Sequence, residues 1–146
     1  YTALSYTWGH PKKTHVLRIS GAPFAITASL AEALGALPRI ASSEYLWLDQ
    51  VCIDQADDKE KNHQVQIMGE IYSNSHKVII WTGGEIQGLQ LAVDTYISPG
   101  RQICERGYYL GALAKSLDVY AEPLRQLLLR PWFRRAWVIQ EAVLAK

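Results

Sequence analysis

Residues 46–55 read Leu46-Trp47-Leu48-Asp49-Gln50-Val51-Cys52-Ile53-Asp54-Gln55. The stretch opens as the tail of an apolar run that starts at Tyr45. That run is too short for a membrane span and rich enough in aromatic residues for a buried strand. It then turns polar without a Gly or Pro break. Two carboxylates, two carboxamides and a thiol follow, anchored only by Val51 and Ile53. A buried strand ending in acids and amides is the sequence mark of a ligand site at the carboxyl edge of a parallel sheet. Taken singly, Asp54 is accounted for as the cap of a turn or helix, and Asp49 as the partner of an arginine. The cluster as a whole reads as a site.

The flanking segments build the sheet. Residues 1–8, YTALSYTW, form a first strand stopped by Gly9 and Pro11, and its end again collects polar groups, Ser5, Tyr6, Thr7 and Trp8. Residues 16–19 and 24–26 flank Ser20-Gly21-Ala22-Pro23 as a hairpin, with Pro23 suited to an edge. Ser29 and Glu32 match a capping box, followed by Leu30, Leu34 and Leu37 at helical spacing up to Pro38. An acidic start at 57–60 suits a helix N-terminus, and Val65, Met68, Ile71 and Tyr72 carry the helix from about 58 to 73. Residues 78–81, VIIW, give a third strand closed by Gly83-Gly84. Strand, helix, strand in this order predicts a parallel pair with a right-handed crossover.

Composition narrows the class. The 146 residues are 49% hydrophobic and 20% charged, with a net charge of +1. This describes one globular domain with a real core and gives no electrostatic argument for nucleic acid or an acidic membrane. No apolar stretch has the length of a transmembrane helix, and no signal peptide opens the chain. Two cysteines, Cys52 and Cys104, are no disulfide framework, so a reducing intracellular setting is expected. A start at Tyr1 and an end inside a helical pattern at Lys146 suggest a domain, residues 1–146, cut from a longer chain. Residues 85–129 read as packing or a variable insertion, with a helix around Leu89, a break at 98–100, and one or two helices over 108–129.

The last segment, residues 130–141, is RPWFRRAWVIQE. Pro131 fits a first helical turn. On a continuous helix Phe133, Trp137 and Gln140 share one face, Glu141 lies one turn beyond Trp137, and Arg134 lies two turns before Glu141. A carboxylate beside large aromatics is partly desolvated, which tunes it for chemistry. The structural alternative is a Trp-packed helix with Glu141 neutralised by an arginine.

Residues 1–9 (YTALSYTWG), 46–55 (LWLDQVCIDQ), 60–72 (EKNHQVQIMGEIY), 78–84 (VIIWTGG) and 130–141 (RPWFRRAWVIQE) resemble, in order, the blocks of the heterokaryon incompatibility (HET) domain of filamentous fungi. The resemblance covers the chain except about residues 85–129, which vary in length in that family. Departures are Asp54, where the family usually has Asn, Lys61 in place of Arg, and Gln50 in place of a small residue. The family implies a cytoplasmic effector of regulated cell death on fusion of incompatible strains. It is also distantly similar to TIR domains, which have a flavodoxin-like sheet and in many cases cleave NAD. That similarity carries one residue, Glu141, onto the catalytic Glu of those enzymes, and it is an analogy of folds.

Two functions follow. In the first the domain is an NAD glycohydrolase. Cleavage of the nicotinamide–ribose bond passes through an oxocarbenium-like state that one carboxylate, Glu141, can stabilise. Trp8, Trp81 or Trp137 would stack the rings, and Asp49, Asp54 and Gln55 would hold sugar hydroxyls. NAD would be a substrate, and no cofactor or metal is expected. In the second the domain is a non-catalytic self-assembling module that triggers death through partners, as a homo-oligomer or through other domains of its chain. Cysteine-nucleophile chemistry is disfavoured, because the acids near Cys52 raise a thiol pKa. His10, His15, His63, His76 and the cysteines lack paired ligand spacing, and neither a P-loop nor a dinucleotide-binding glycine pattern occurs.

The expected fold is α/β, three-layer, with a mainly parallel TIR-like or flavodoxin-like sheet flanked by helices and an added β-hairpin. Strands are expected near residues 2–8, 45–51 and 78–82, and the hairpin near 16–26. The expected cleft combines Glu141 with Tyr6, Trp8, Asp49, Asp54, Gln55 and Trp137.

Overall fold

The computed structural model describes residues 1–37, 45–97 and 121–143. Pro38, the 98–100 break, the 108–120 helix and Lys146 lie outside the described residues. The chain divides into two compact units, residues 1–83 with 134–146, and residues 84–133.

In the first unit three strands form a parallel sheet. β1 (Thr2–Tyr6) is central, β4 (Leu46–Trp47) pairs on one side and β5 (Lys77–Trp81) on the other. All five β1 residues are buried, as befits a strand covered on both faces. Leu4 and Tyr6 point into a core with Leu30 and Ala33 of α1 (Ala28–Ala36), together with Ile26 and Leu48. Ala3 points the opposite way, toward Met68 and Tyr72 of α4 (Met68–Ser73). Successive strand residues face opposite sides, so the two clusters lie on opposite faces. The chain runs from β1 to one neighbour and then crosses to the other. Right-handed connections that travel in opposite directions must cover opposite faces. The result is mixed α/β with a parallel sheet flanked by helices, as expected.

β2 (Lys13–Ile19) and β3 (Ala22–Thr27) form a separate antiparallel hairpin. Its turn places Ser20 at φ 49° and Gly21 at φ 83°. Two successive positive φ values match the right-handed strand twist, and glycine takes such a value without steric cost.

Three local expectations are corrected. The strand expected over 45–51 ends at Trp47, and Asp49–Cys52 is a helical turn, α2. The amides of Val51 and Cys52 bond back to the Leu48 carbonyl, and the Asp49 carboxylate accepts the Gln50 amide. An acid in a first turn suits the exposed N–H groups there. The helix expected over 58–73 is two, α3 (Asp58–Gln66) and α4, joined at Ile67 with φ −97° and ψ 8°. The bend lays Met68 and Tyr72 on the sheet, while α3 buries no residue. The cap of α1 is Thr27, whose hydroxyl accepts the Leu30 amide. Ser29 instead donates to the Thr7 carbonyl.

The first unit ends with α7 (Val138–Val143), which packs on α4 and β5. The continuous helix expected from Pro131 is not formed. Pro131–Arg134 is a 3-10 turn, and α7 starts four residues later.

The second unit holds α5 (Leu89–Ile97) and a helix, α6, over residues 121–128. Ile86, Ala92 and Trp132 are buried in it, and Arg130 donates to the Gly84 carbonyl at 2.6 Å.

Candidate functional site

β1, β4 and β5 run parallel, so their carboxyl ends share one edge of the sheet. The connections that leave the neighbouring strands β1 and β4 at this edge cover opposite faces of the sheet, the place where open α/β sheets hold ligands. A cleft of about 420 Å³ opens there. Thr7, Trp8 and Gly9 extend β1 into its wall, Asp49, Ile53 and Gln55 come from α2 and the loop after it, and Lys61, Val65 and Met68 come from α3 and α4. Arg135 and Trp137 complete it.

Asp49 is the carboxylate that faces the cleft. Trp8 Nε1 donates to its Oδ2 at 2.6 Å, and the Gln50 amide donates to Oδ1 at 2.7 Å. Burial pushes the Asp49 carboxyl above its usual range, opposed by the Trp8 bond, Tyr6, the Gln50 amide and the charge of Arg135. Gln55 Nε2 donates to the Asp49 carbonyl at 2.9 Å, which ties the loop to the turn. Gln50, 1% exposed, points inward. Its Oε1 accepts the Thr27 amide at 2.9 Å, so the turn bearing Asp49 is locked to the start of α1.

Tyr6 lies beneath this edge, 1% exposed. Its hydroxyl is buried without a hydrogen bond of normal geometry, and the Thr7 hydroxyl is buried likewise. Burial first, and then the Asp49 charge, raise the Tyr6 phenol far above its ordinary value. Tyr72 is raised by burial and by the charges of Glu141 and Asp49, and its hydroxyl donates to the Leu4 carbonyl.

Glu141 is fully buried. Arg135 grips it through two parallel bonds, Nη1 to Oε2 at 2.9 Å and Nη2 to Oε1 at 2.7 Å. The Ser5 hydroxyl, on the α7 side of β1, donates to Oε2. Glu141 therefore stands behind Arg135, which lines the cleft while Glu141 does not.

Trp8, Asp49, Gln55 and Trp137 thus line one cleft, with Tyr6 below and Glu141 behind. Asp54 is elsewhere. It is exposed, its Oδ1 accepts the Ala56 amide as a turn cap, and it lines a second cleft with Lys13, Phe24 and Val51. Trp81 packs against the Leu4–Tyr6 core and does not line the cleft. Arg135, Thr7 and Lys61 were not anticipated at the site. A continuous helix sets Arg135 six residues from Glu141, off its face, and only the interruption after the 3-10 turn lets it fold back. Among the described residues no cluster of three or more His, Cys, Asp or Glu side chains is placed to hold a metal, and no helix is long and apolar enough to cross a membrane.

Comparison with known proteins adds a family. The model for heterokaryon incompatibility protein (HET) matches residues 1–141. Heterokaryon incompatibility protein 6, OR allele, of Neurospora crassa is 31% identical, over 73% of this chain and 18% of that protein. The chain thus spans about a fifth of the length of the curated relative it matches. No solved structure matches. With the match running from residue 1 to Glu141, the chain belongs to the heterokaryon incompatibility (HET) family.

Proposed function

We propose that this domain is an effector of fungal heterokaryon incompatibility and that its cleft binds and cleaves NAD at the nicotinamide–ribose bond. The observation that carries the reading is the carboxyl-edge cleft in which Asp49, a half-buried carboxylate, is held by the Trp8 indole and shares the lining with Trp137. The volume, about 420 Å³, is in the range of small-molecule sites. Indoles offer flat surfaces for the nicotinamide or the adenine. As the C1′–N bond breaks, its electron pair leaves with neutral nicotinamide. The ribosyl cation is stabilised by the nearby carboxylate and captured by water, whose proton is released, giving ADP-ribose. Glu141, the residue carried by the TIR analogy, acts in this scheme from behind Arg135.

The test is to incubate the purified full-length protein with NAD and follow nicotinamide by chromatography. Wild type should release it, and Asp49→Asn and Glu141→Gln should each slow release by about 100-fold, the scale on which one preorganised electrostatic contact acts. Full turnover by both variants would remove these carboxylates from the scheme. No release at any protein concentration would favour the second reading, a non-catalytic assembling module. A specific observation supports that reading: Ile139 and Val143, one turn apart on α7, are 69% and 71% exposed, an apolar stripe of the kind that pairs with a partner.

A further inference from the structure

We propose that Arg135 is the phosphate-recognition group of the cleft, that Glu141 is its positioning residue, and that the ligand class is a nucleoside diphosphate. The inference rests on reading the cleft as a nucleotide site, and it does not require that the cleft cleave its ligand.

The geometry carries it in three steps. Arg135 lines the cleft with its side chain 20% exposed, while its carboxylate partner is fully buried. The bonds to Glu141 use Nη1 and Nη2 once each, and no third hydrogen bond holds Arg135 among the described residues. A guanidinium carries five N–H donors in a rigid plane. The remaining donors serve a second planar or tetrahedral oxyanion, and a guanidinium does this better than an ammonium.

The second step is the expense of the arrangement. A buried ion pair rarely stabilises a fold more than apolar residues of the same volume would, so its stability value does not account for it. What it does achieve is a fixed guanidinium. Ser5 on the central strand holds Oε2, the carboxylate cannot rotate, and the fork of Arg135 is aimed from a rigid base. Preorganised donors of this kind lose little on binding.

The third step sets the ligand class. Lys61, paired with Asp58 at 2.5 Å, is a second cation lining the same cleft, and Trp8 and Trp137 add two indoles to its lining. Cations next to stacking platforms match a molecule that carries both a base and a phosphate chain. Bare phosphate would leave the indoles unused, and adenosine would leave Arg135 unused.

The experiment is calorimetric titration of the full-length protein with ADP and, separately, with adenosine. Wild type should bind ADP at least about 10-fold more tightly, the worth of one charge-assisted bidentate contact. Arg135→Lys keeps a cation for Glu141 but loses the fork. The double variant Arg135→Gln with Glu141→Gln replaces the ion pair by an amide pair. Glu141→Gln alone frees the fork. Each should erase most of the ADP preference while adenosine affinity stays within about 2-fold. A purely structural role for Glu141 would weaken both ligands together and would overturn its positioning assignment. Undiminished ADP preference in a folded Arg135 variant would overturn the arginine. ADP bound no more tightly than adenosine by wild type overturns the ligand class without any variant. A protein that shows the Arg135-dependent ADP preference but releases no nicotinamide keeps this inference and loses the cleavage.

Discussion

Arg135 and Glu141 meet through two bonds of 2.9 and 2.7 Å, with the carboxylate fully buried and the guanidinium at the cleft. Removing one partner alone leaves an uncompensated charge in the interior. Glu141→Ala should therefore cost about 3–5 kcal/mol in urea unfolding. Replacing both by leucine should cost much less than the sum of the single changes. A double-mutant cycle with additive single effects would show that the pair is not coupled.

Asp49 gives a pH dependence. Its folded pKa is raised by burial, so the folded state holds the proton more tightly than the unfolded chain. The stability this group contributes is present below its unfolded value and is lost as pH rises through the folded one. Measured against Asp49→Asn, wild type should lose relative stability as pH rises above about 4, the ordinary Asp value, whatever constant offset the amide adds through Trp8. A relative gain over that range would mean that the Trp8 and Gln50 hydrogen bonds outweigh burial.

How much of this was legible follows from the kind of order each feature needs. β1 and β5 stand close to the expected 2–8 and 78–82, because a fully buried strand is an apolar run bounded by turn residues. The hairpin is visible from Ser20-Gly21. That Asp49, Trp8, Gln55 and Trp137 would line one cleft was legible because they follow strand ends or carry large rings, and strand ends at one sheet edge converge. Arg135 was not. Its contact depends on a helix interruption between Arg134 and Val138 that no Gly or Pro announces, and periodicity applied across that gap selects Arg134 instead. The short β4 was obscured in the same way. Leu48-Asp49 has no breaker, and the change from strand to turn is set by hydrogen bonds to Leu48 and to the Asp49 side chain.

Tyr6 and Tyr72 should resist alkaline titration. Both phenols are raised by burial and then by buried carboxylates, so their neutral forms stabilise the fold, and that contribution is lost only as pH rises through the raised values. Ultraviolet titration should show at least two of the eight tyrosines ionising only together with unfolding. Eight phenols ionising near pH 10 with the circular dichroism intact would refute the burial of this pair.

Gly9 closes the end of β1 at φ 66°, a left-handed value that side chains resist. A methyl group there would also meet Ser29 Cβ at 3.4 Å, ordinary contact and no clash. The cost of Gly9→Ala is therefore backbone strain alone, about 1 kcal/mol. The strain falls beside Trp8, whose indole holds Asp49 Oδ2. If the β1 extension relaxes to relieve it, the Trp8–Asp49 bond is the first contact to lengthen. Gly9→Ala should then cost about 1 kcal/mol of stability and also weaken ADP binding by a few-fold. Loss of about 1 kcal/mol of stability with ADP binding unchanged would place the strain in the fold as a whole and detach Gly9 from the cleft.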